Sequence, residues 1–249
     1  MFRRVAACAG LAALAVAGLP AAADPPTAAE LLVLADRPKE FYREGVLHVK
    51  ATVFSAKKTE DPAEFELYRK GNDRTLVVFT AGKQKGRRVL TAGDKSWLIV
   101  PDSSRAIPVT PNQRLLGGAS MGDVARLSFS EDFSGALSPR AEEVGGLACD
   151  VLDLESKHTA SMYGSGTLWL DRQEHLPRKV VLALVSGKPA KELLFEKYGT
   201  ENGGPVVLEM SIRDLVSGAH GLTTKLEYSH YRRASLPDSI FTPEGARRF

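Results

Sequence analysis

The residues best able to do chemistry in this 249-residue sequence are five histidines, scattered carboxylates and two cysteines, and their spacing argues against most reactions. His48, His158, His175, His220 and His230 include no His-Glu-x-x-His pair and no other close ligand pair, so no metal site is expected. There is no Gly-x-Ser-x-Gly elbow, no phosphate-binding loop and no dinucleotide glycine fingerprint, and Gly164-Ser165-Gly166 reads as a turn. Glu142-Glu143 and Asp150/Asp153 are carboxylates that no pattern forces together, so no acid–base pair can be named. Cys149 sits among Leu147, Val151 and Leu152, the setting of a small buried hydrophobe rather than of an activated thiol. The sequence therefore predicts no catalytic residue, no metal and no cofactor.

The N-terminus has a different kind of signal. Met1-Phe2-Arg3-Arg4 is followed by a near-continuous apolar run from Val5 to Leu19 and then by Ala21-Ala22-Ala23, which is the layout of a cleavable secretory leader over residues 1–23. The run is shorter than the roughly 20 residues of a spanning helix, and Pro20 interrupts it. Cys8 follows Arg4 after only three residues, too early for a lipidated cysteine, because no apolar segment precedes it. The expected product is a diffusible periplasmic chain, residues 24–249, with Cys149 alone and hence no internal disulfide. Without Arg3 and Arg4, its basic and acidic residues nearly balance, which disfavours nucleic acid as a partner. The basic run Lys83 to Arg88 falls at an expected hairpin turn and reads as solvated charge.

The elements that follow are mostly strands. Thr27-Ala28-Ala29-Glu30 fits a capping box that opens a short helix ending before Pro38. Leu47, Val49, Ala51 and Val53 then alternate with His48, Lys50 and Thr52, as in a strand with one buried face. Further strands are expected at 64–70, 75–81, 87–91, 96–100 and 105–110, with hairpin-length turns between them, so the first half reads as an antiparallel meander. The segment 111–132 breaks the series, and Ser120 there can cap a helix carrying Val124, Ala125 and Leu127. Strand patterns resume from Ala141 and continue to Tyr231. About a dozen strands without repeat or linker predict one mainly β domain over 24–249, a strongly curved sheet or incomplete barrel.

Several segments, taken in order, resemble a known family. They are Gly86-Arg87-Arg88-Val89-Leu90, Gly93-Asp94-Lys95-Ser96-Trp97-Leu98-Ile99-Val100-Pro101, Ser104-Arg105-Ala106-Ile107-Pro108-Val109 and Gly118-Ala119-Ser120-Met121-Gly122-Asp123. Gly166-Thr167-Leu168-Trp169-Leu170-Asp171 with Leu176-Pro177, and the ending Leu236-Pro237-Asp238-Ser239-Ile240-Phe241-Thr242, continue the series. Together they resemble the outer-membrane lipoprotein-sorting protein family, the LolA-like periplasmic carriers. The chain departs from the family by having Asp123-Val124 where Asp-Phe is usual. The resemblance implies a curved antiparallel sheet forming a half-open β-barrel, with a few short helices as lid or plug.

A trough of that shape would shelter acyl chains of a lipoprotein or lipid at about 0.8 kcal/mol per buried methylene, with no catalysis. Candidate wall residues are Leu47, Val49, Ala51, Val53, Phe65, Leu67, Leu76, Val78, Trp97 and Ile99. Candidate lid or plug residues are Met121, Val124, Leu127, Phe129 and Phe133, which could equally complete a core. Implied partners are the lipid or lipoprotein cargo, with an inner-membrane exporter or an outer-membrane acceptor. Two alternatives stay open: a non-catalytic assembly module of a lipid exporter, and an envelope hydrolase with dispersed catalytic residues.

Overall fold

The computed structural model describes residues 25–249 apart from 41–42, 56–57, 102, 104, 111–113, 121–122, 124–126, 160, 202 and 217–221. The expected leader, Cys8, Met121, Val124 and His220 lie outside the described residues.

The chain opens with helix α1 (Ala28–Glu40). The Thr27 backbone N–H donates to Glu30 Oε2 at 2.8 Å and the Glu30 N–H returns to Thr27 Oγ1 at 3.3 Å, a reciprocal capping box. Contrary to expectation, the helix passes through Pro38. Proline removes the N–H that would have reached the Leu34 carbonyl, and Arg37 Nε donates to that oxygen instead at 3.2 Å. The helix therefore keeps its last turn.

Strands β1 (Glu44–Phe54), β2 (Ala63–Lys70), β3 (Arg74–Ala81), β4 (Arg88–Ala92), β5 (Lys95–Ile99) and β6 (Ile107–Val109) form the expected meander. After it come a small hairpin of β7 (Arg114–Leu116) and β8 (Ala119–Ser120), a one-turn helix α2 (Phe129–Asp132) and strand β9 (Phe133–Leu137). Ser120 ends this hairpin, and its hydroxyl accepts from the Asp123 N–H at 3.3 Å while its own N–H donates to Asp123 Oδ2 at 2.8 Å, a reciprocal cap ahead of the helical Asp123; Val124 and Ala125 of the expected helix lie outside the described residues. The second meander is β10 (Glu142–Val144), β11 (Leu147–Ser156), β12 (Tyr163–Asp171), β13 (Pro177–Leu184), β14 (Pro189–Glu201), β15 (Gly204–Asp214) and β16 (Thr223–Arg233). A 3-10 turn (Asp238–Phe241) and helix α3 (Pro243–Arg248) end the chain.

Fourteen strands make one curved antiparallel sheet in the order β10 through β16, then β1 through β6, with β9 also on β11. The two meanders are joined by β1 against β16, where Val49 pairs Tyr228 and Ala51 pairs Leu226. The sheet does not close, so it is a half-open barrel, as the sequence resemblance implies.

Each face has its own core. Leu47, Val49 and Ala51 of β1 and Phe65 and Leu67 of β2 project to the inner face, where they meet Leu31, Leu32 and Ala35 of α1 together with Leu127, Phe129 and Phe133. Phe65 and Phe79 pack their rings 5.3 Å apart beneath them. On the outer face of β1 to β5, Val46, Leu76, Leu90 and Ile99 are covered by Leu236, Ile240, Phe241 and Ala246 of the C-terminal segment. Lys70 and Arg74 hold that segment through Asp238 at 2.8 and 2.7 Å. Burying each of these large side chains is worth about 1.5–3 kcal/mol.

Candidate functional site

The inner face of β14 to β16 is the part of the trough that is not simply filled. A bulge in β16, with His230 at φ 53°, shifts the register so that both Tyr228 and Tyr231 pack on the inner side. Together with Leu67, Leu193, Phe195, Tyr198, Val207 and Met210, they line an apolar cavity of about 60 Å³ beneath α1. Two of the phenol oxygens are occupied by backbone: Tyr198 donates to the Pro177 carbonyl at 2.5 Å, and Tyr231 to that of Val207. Ligand pockets usually measure about 300–1,000 Å³, so the cavity as it stands is a remnant between packed parts.

Two sets of polar contacts seat the covering segment. In the first, the Gly117-Gly118 turn lies flat on the sheet. A Cβ on Gly117, whose φ is +54°, would come within 2.7 Å of a Val53 methyl, and the Gly118 N–H donates to Thr224 Oγ1 at 2.9 Å. Next to it, Lys191 Nζ lies 3.4 Å from Asp214 and 3.9 Å from Asp123, and donates to the Gly118 carbonyl. Asp123 accepts from the Ser120 N–H at 2.8 Å and from the Tyr163 hydroxyl at 2.6 Å. Desolvation, then the charge of Asp123, pushes the Tyr163 phenol well above its ordinary range, so it stays a donor. Two buried carboxylates around one ammonium are tolerable only because these hydrogen bonds satisfy them.

The second set is on α1. Asp36, almost wholly buried, accepts from the backbone N–H groups of Phe129 and Ser130 at 2.9 and 2.8 Å, and from the hydroxyls of Ser128 and Ser130 at 3.0 and 2.7 Å. One turn on, Lys39 donates to the Leu127 carbonyl. Desolvation, reinforced by the nearby Arg69 charge, pushes the Lys39 amine down to about 8.

The candidate wall read from the sequence is divided by the structure. Leu47, Val49, Ala51, Phe65 and Leu67 are on the inner face, and Val53 is there too, under Gly117. Leu76, Val78, Trp97 and Ile99 belong instead to the outer face under the C-terminal segment. Because Leu67 pairs with Val77 and Phe65 with Phe79, the inner residues of β3 are Val77 and Phe79. The run from Leu76 to Phe79 is apolar throughout because both faces are covered, so alternation could not assign its sides. Of the lid candidates, Leu127, Phe129 and Phe133 sit in the inner cluster. Sequence reasoning missed Leu193, Phe195, Tyr198, Val207, Met210, Tyr228 and Tyr231, as well as Asp36 and Lys39. Among the described residues no cluster of His, Cys, Asp and Glu could hold a metal. Cys149 is buried on the outer face beside Val151 and Trp169, and burial pushes its thiol up.

An open antiparallel half-barrel of this kind is the fold of a solved LolA superfamily structure. The chain belongs to the family whose model, described as "Uncharacterized protein", matches residues 71–248. Among solved structures it is similar to a LolA superfamily protein from Nitrosomonas europaea, at 26% identity and a TM-score of 0.77 over 88% of this chain and 99% of that one. It also matches a DUF1329 family protein from Desulfovibrio piger, at 18% identity and a TM-score of 0.74 over 88% and 99%. A third is an outer membrane lipoprotein-sorting protein domain from Vibrio parahaemolyticus, at 18% identity and a TM-score of 0.71 over 88% and 100%. No curated protein matches the sequence. The resemblance to lipoprotein-sorting proteins therefore holds in the fold.

Proposed function

We propose that this protein is a non-catalytic periplasmic carrier: residues 1–23 direct export and are removed, and residues 24–249 form one domain that takes the acyl chains of a lipoprotein or lipid into the trough and moves them toward the outer membrane. The observation that carries this reading is the apolar cavity under α1, bounded on one side by Asp123, Leu127 and Phe129, whose seat includes discrete polar contacts. Displacing Leu127 and Phe129 would extend the cavity along the inner face, and an acyl chain would replace their apolar contacts. At about 0.8 kcal/mol per buried methylene, a chain of about 14 methylenes brings on the order of 10 kcal/mol, enough to offset unseating. The likeness to the Nitrosomonas europaea LolA superfamily protein supports the reading.

The test is native mass spectrometry and organic extraction of protein exported to a periplasm, with titration by fluorescent fatty-acid probes. Recovered lipid and saturable probe binding are expected. No lipid and no binding would refute the carrier reading.

A further inference from the structure

Beside the trough, α1 meets the turns β12–β13 and β14–β15 around an open hollow of about 520 Å³ lined by polar groups. Arg37 reaches it from α1, His175 from the first turn, and Thr200 with the backbone of Gly203 and Gly204 from the second. The first turn is built around Asp171, whose carboxylate accepts from the N–H groups of Gln173, Glu174 and Leu176 at 3.1, 2.7 and 3.3 Å and pairs with Arg178 at 2.9 Å. That scaffold holds His175 at φ 54°, where residues with side chains rarely sit, and leaves its Nδ1 buried with no hydrogen-bond partner. Such strain persists only where surrounding contacts over-determine it, and it concentrates at binding sites. Arg37 gives Nε to the Leu34 carbonyl and Nη2 to that of Glu174, so its bonds are to neutral acceptors, and among the described residues it has no ion-pair partner.

Tyr198 lines both this hollow and the apolar cavity. Its hydroxyl is tied to the Pro177 carbonyl at 2.5 Å, and Arg178 sits 5.0 Å over its ring, so the partition is fixed to the same turn that positions His175. A polar hollow whose Arg37 guanidinium has no ion-pair partner among the described residues, with Glu174 also in its lining, and which shares a wall with an apolar cavity, has the outline of an anionic amphiphile. A guanidinium and a hydroxyl around one space, with the His175 ring in its lining, suit phosphate oxygens, which accept several charge-assisted bonds at once.

We propose that this hollow binds the phosphate of a phospholipid head group while the acyl chains lie in the trough, an inference that rests on the carrier reading. The test compares equilibrium binding of dioleoyl phosphatidylglycerol and dioleoylglycerol to the mature protein, with glycerol 3-phosphate and inorganic phosphate alone as further arms. The wild type is expected to favour the phospholipid by about tenfold or more, as one charge-assisted contact would give. Arg37→Gln should bring that ratio to near one while dioleoylglycerol binding is kept. His175→Asn, whose new residue tolerates the positive φ, should lower the ratio by about threefold and stands as a second test if Arg37→Gln does not fold. Equal binding of the two lipids by the wild type, or a ratio that neither variant changes, overturns the head-group site and leaves the carrier reading intact. Free phosphate or glycerol 3-phosphate binding as tightly as the phospholipid overturns it in favour of a free-phosphate site. Failure of both lipids to bind removes the carrier reading and this inference together.

Discussion

Asp36→Ala separates a movable plug from a fixed piece of core. Its carboxylate serves four donors of the segment 128–130, two of them backbone N–H groups at the start of α2. Alanine leaves those N–H groups facing apolar surroundings whenever the segment is seated, while the two serine hydroxyls can turn elsewhere. Hydrogen bonds to a charged acceptor contribute about 1.5–3 kcal/mol each, so the seated state loses roughly 3 kcal/mol, allowing for partial hydration. Such a loss shifts the balance between seated and unseated forms by about 100-fold. If the acyl chain binds only the unseated form, apparent affinity strengthens by the same factor until the free protein is itself mostly unseated. The assay is a fluorescent fatty-acid titration of the mature wild type and variant, with thermal melts alongside. Tighter probe binding accompanied by a small loss of stability is expected. Unchanged or weaker binding together with a large drop in melting temperature would refute the reasoning, because it would make 127–133 a structural part of the core.

Three further outcomes follow from the same contacts. Lys191→Met leaves Asp123 and Asp214 buried without their ammonium and should cost about 3–5 kcal/mol in denaturant unfolding; a loss below about 1 kcal/mol would show that water reaches the carboxylates. Lys39 titrates near 8 in the folded protein against an ordinary 10.5, so between those values the unfolded chain binds more protons and stability rises with pH. The melting temperature of the wild type relative to Lys39→Met should therefore climb from pH 8 to 10 and stay level from pH 6 to 7, and parallel profiles would refute the assignment. Cys149 is fully buried with its thiol pushed up by desolvation, so a disulfide reagent at pH 8 should label it only as fast as the protein opens. Fast labelling of the native state would contradict that burial.

Where one physical signal dominated, the sequence was readable. Thr27 and Glu30 announced the start of α1, and alternation in β1 identified its inner residues, because polar His48, Lys50 and Thr52 separate them. The same reasoning failed on β3 and β5, where Leu76, Val77, Val78 and Phe79, or Trp97, Leu98 and Ile99, are apolar in succession. The C-terminal segment that covers their outer face lies more than 130 residues away in sequence, so no local pattern could reveal it. In β14 to β16 the obstacle was register: the bulges at Phe195 to Tyr198 and at His230 interrupt the period-two pattern at the tyrosines that line the cavity. Asp36 carries no sequence signal of its role, because the α2 backbone that uses its carboxylate is more than 90 residues away. The Gly-Ala-Ser-Met-Gly-Asp motif was visible as a motif, but its reason is tertiary: close backbone approach at Gly117-Gly118 and an aspartate anchored by Tyr163 and Lys191.

The two covers of the sheet differ in a way that bears on which one can move. On the outer side, the C-terminal cover buries Leu236, Ile240, Phe241 and Ala246 and adds ion pairs to Lys70 and Arg74. Lifting it would expose an apolar face with nothing to replace it. On the inner side, β7 and β8 form a separate two-stranded sheet, and among the described residues the hairpin has no ladder bond to the large one. Its seat, and that of α2, combines apolar packing with side-chain hydrogen bonds and ion pairs to α1, β12, β14, β15 and β16. Polar contacts of this kind can be exchanged for water at modest net cost, and an incoming acyl chain would take over the apolar ones. On the carrier reading, the cover can therefore yield without breaking the sheet's ladder until β9 begins at Phe133, which marks that residue as the place where the motion must hinge.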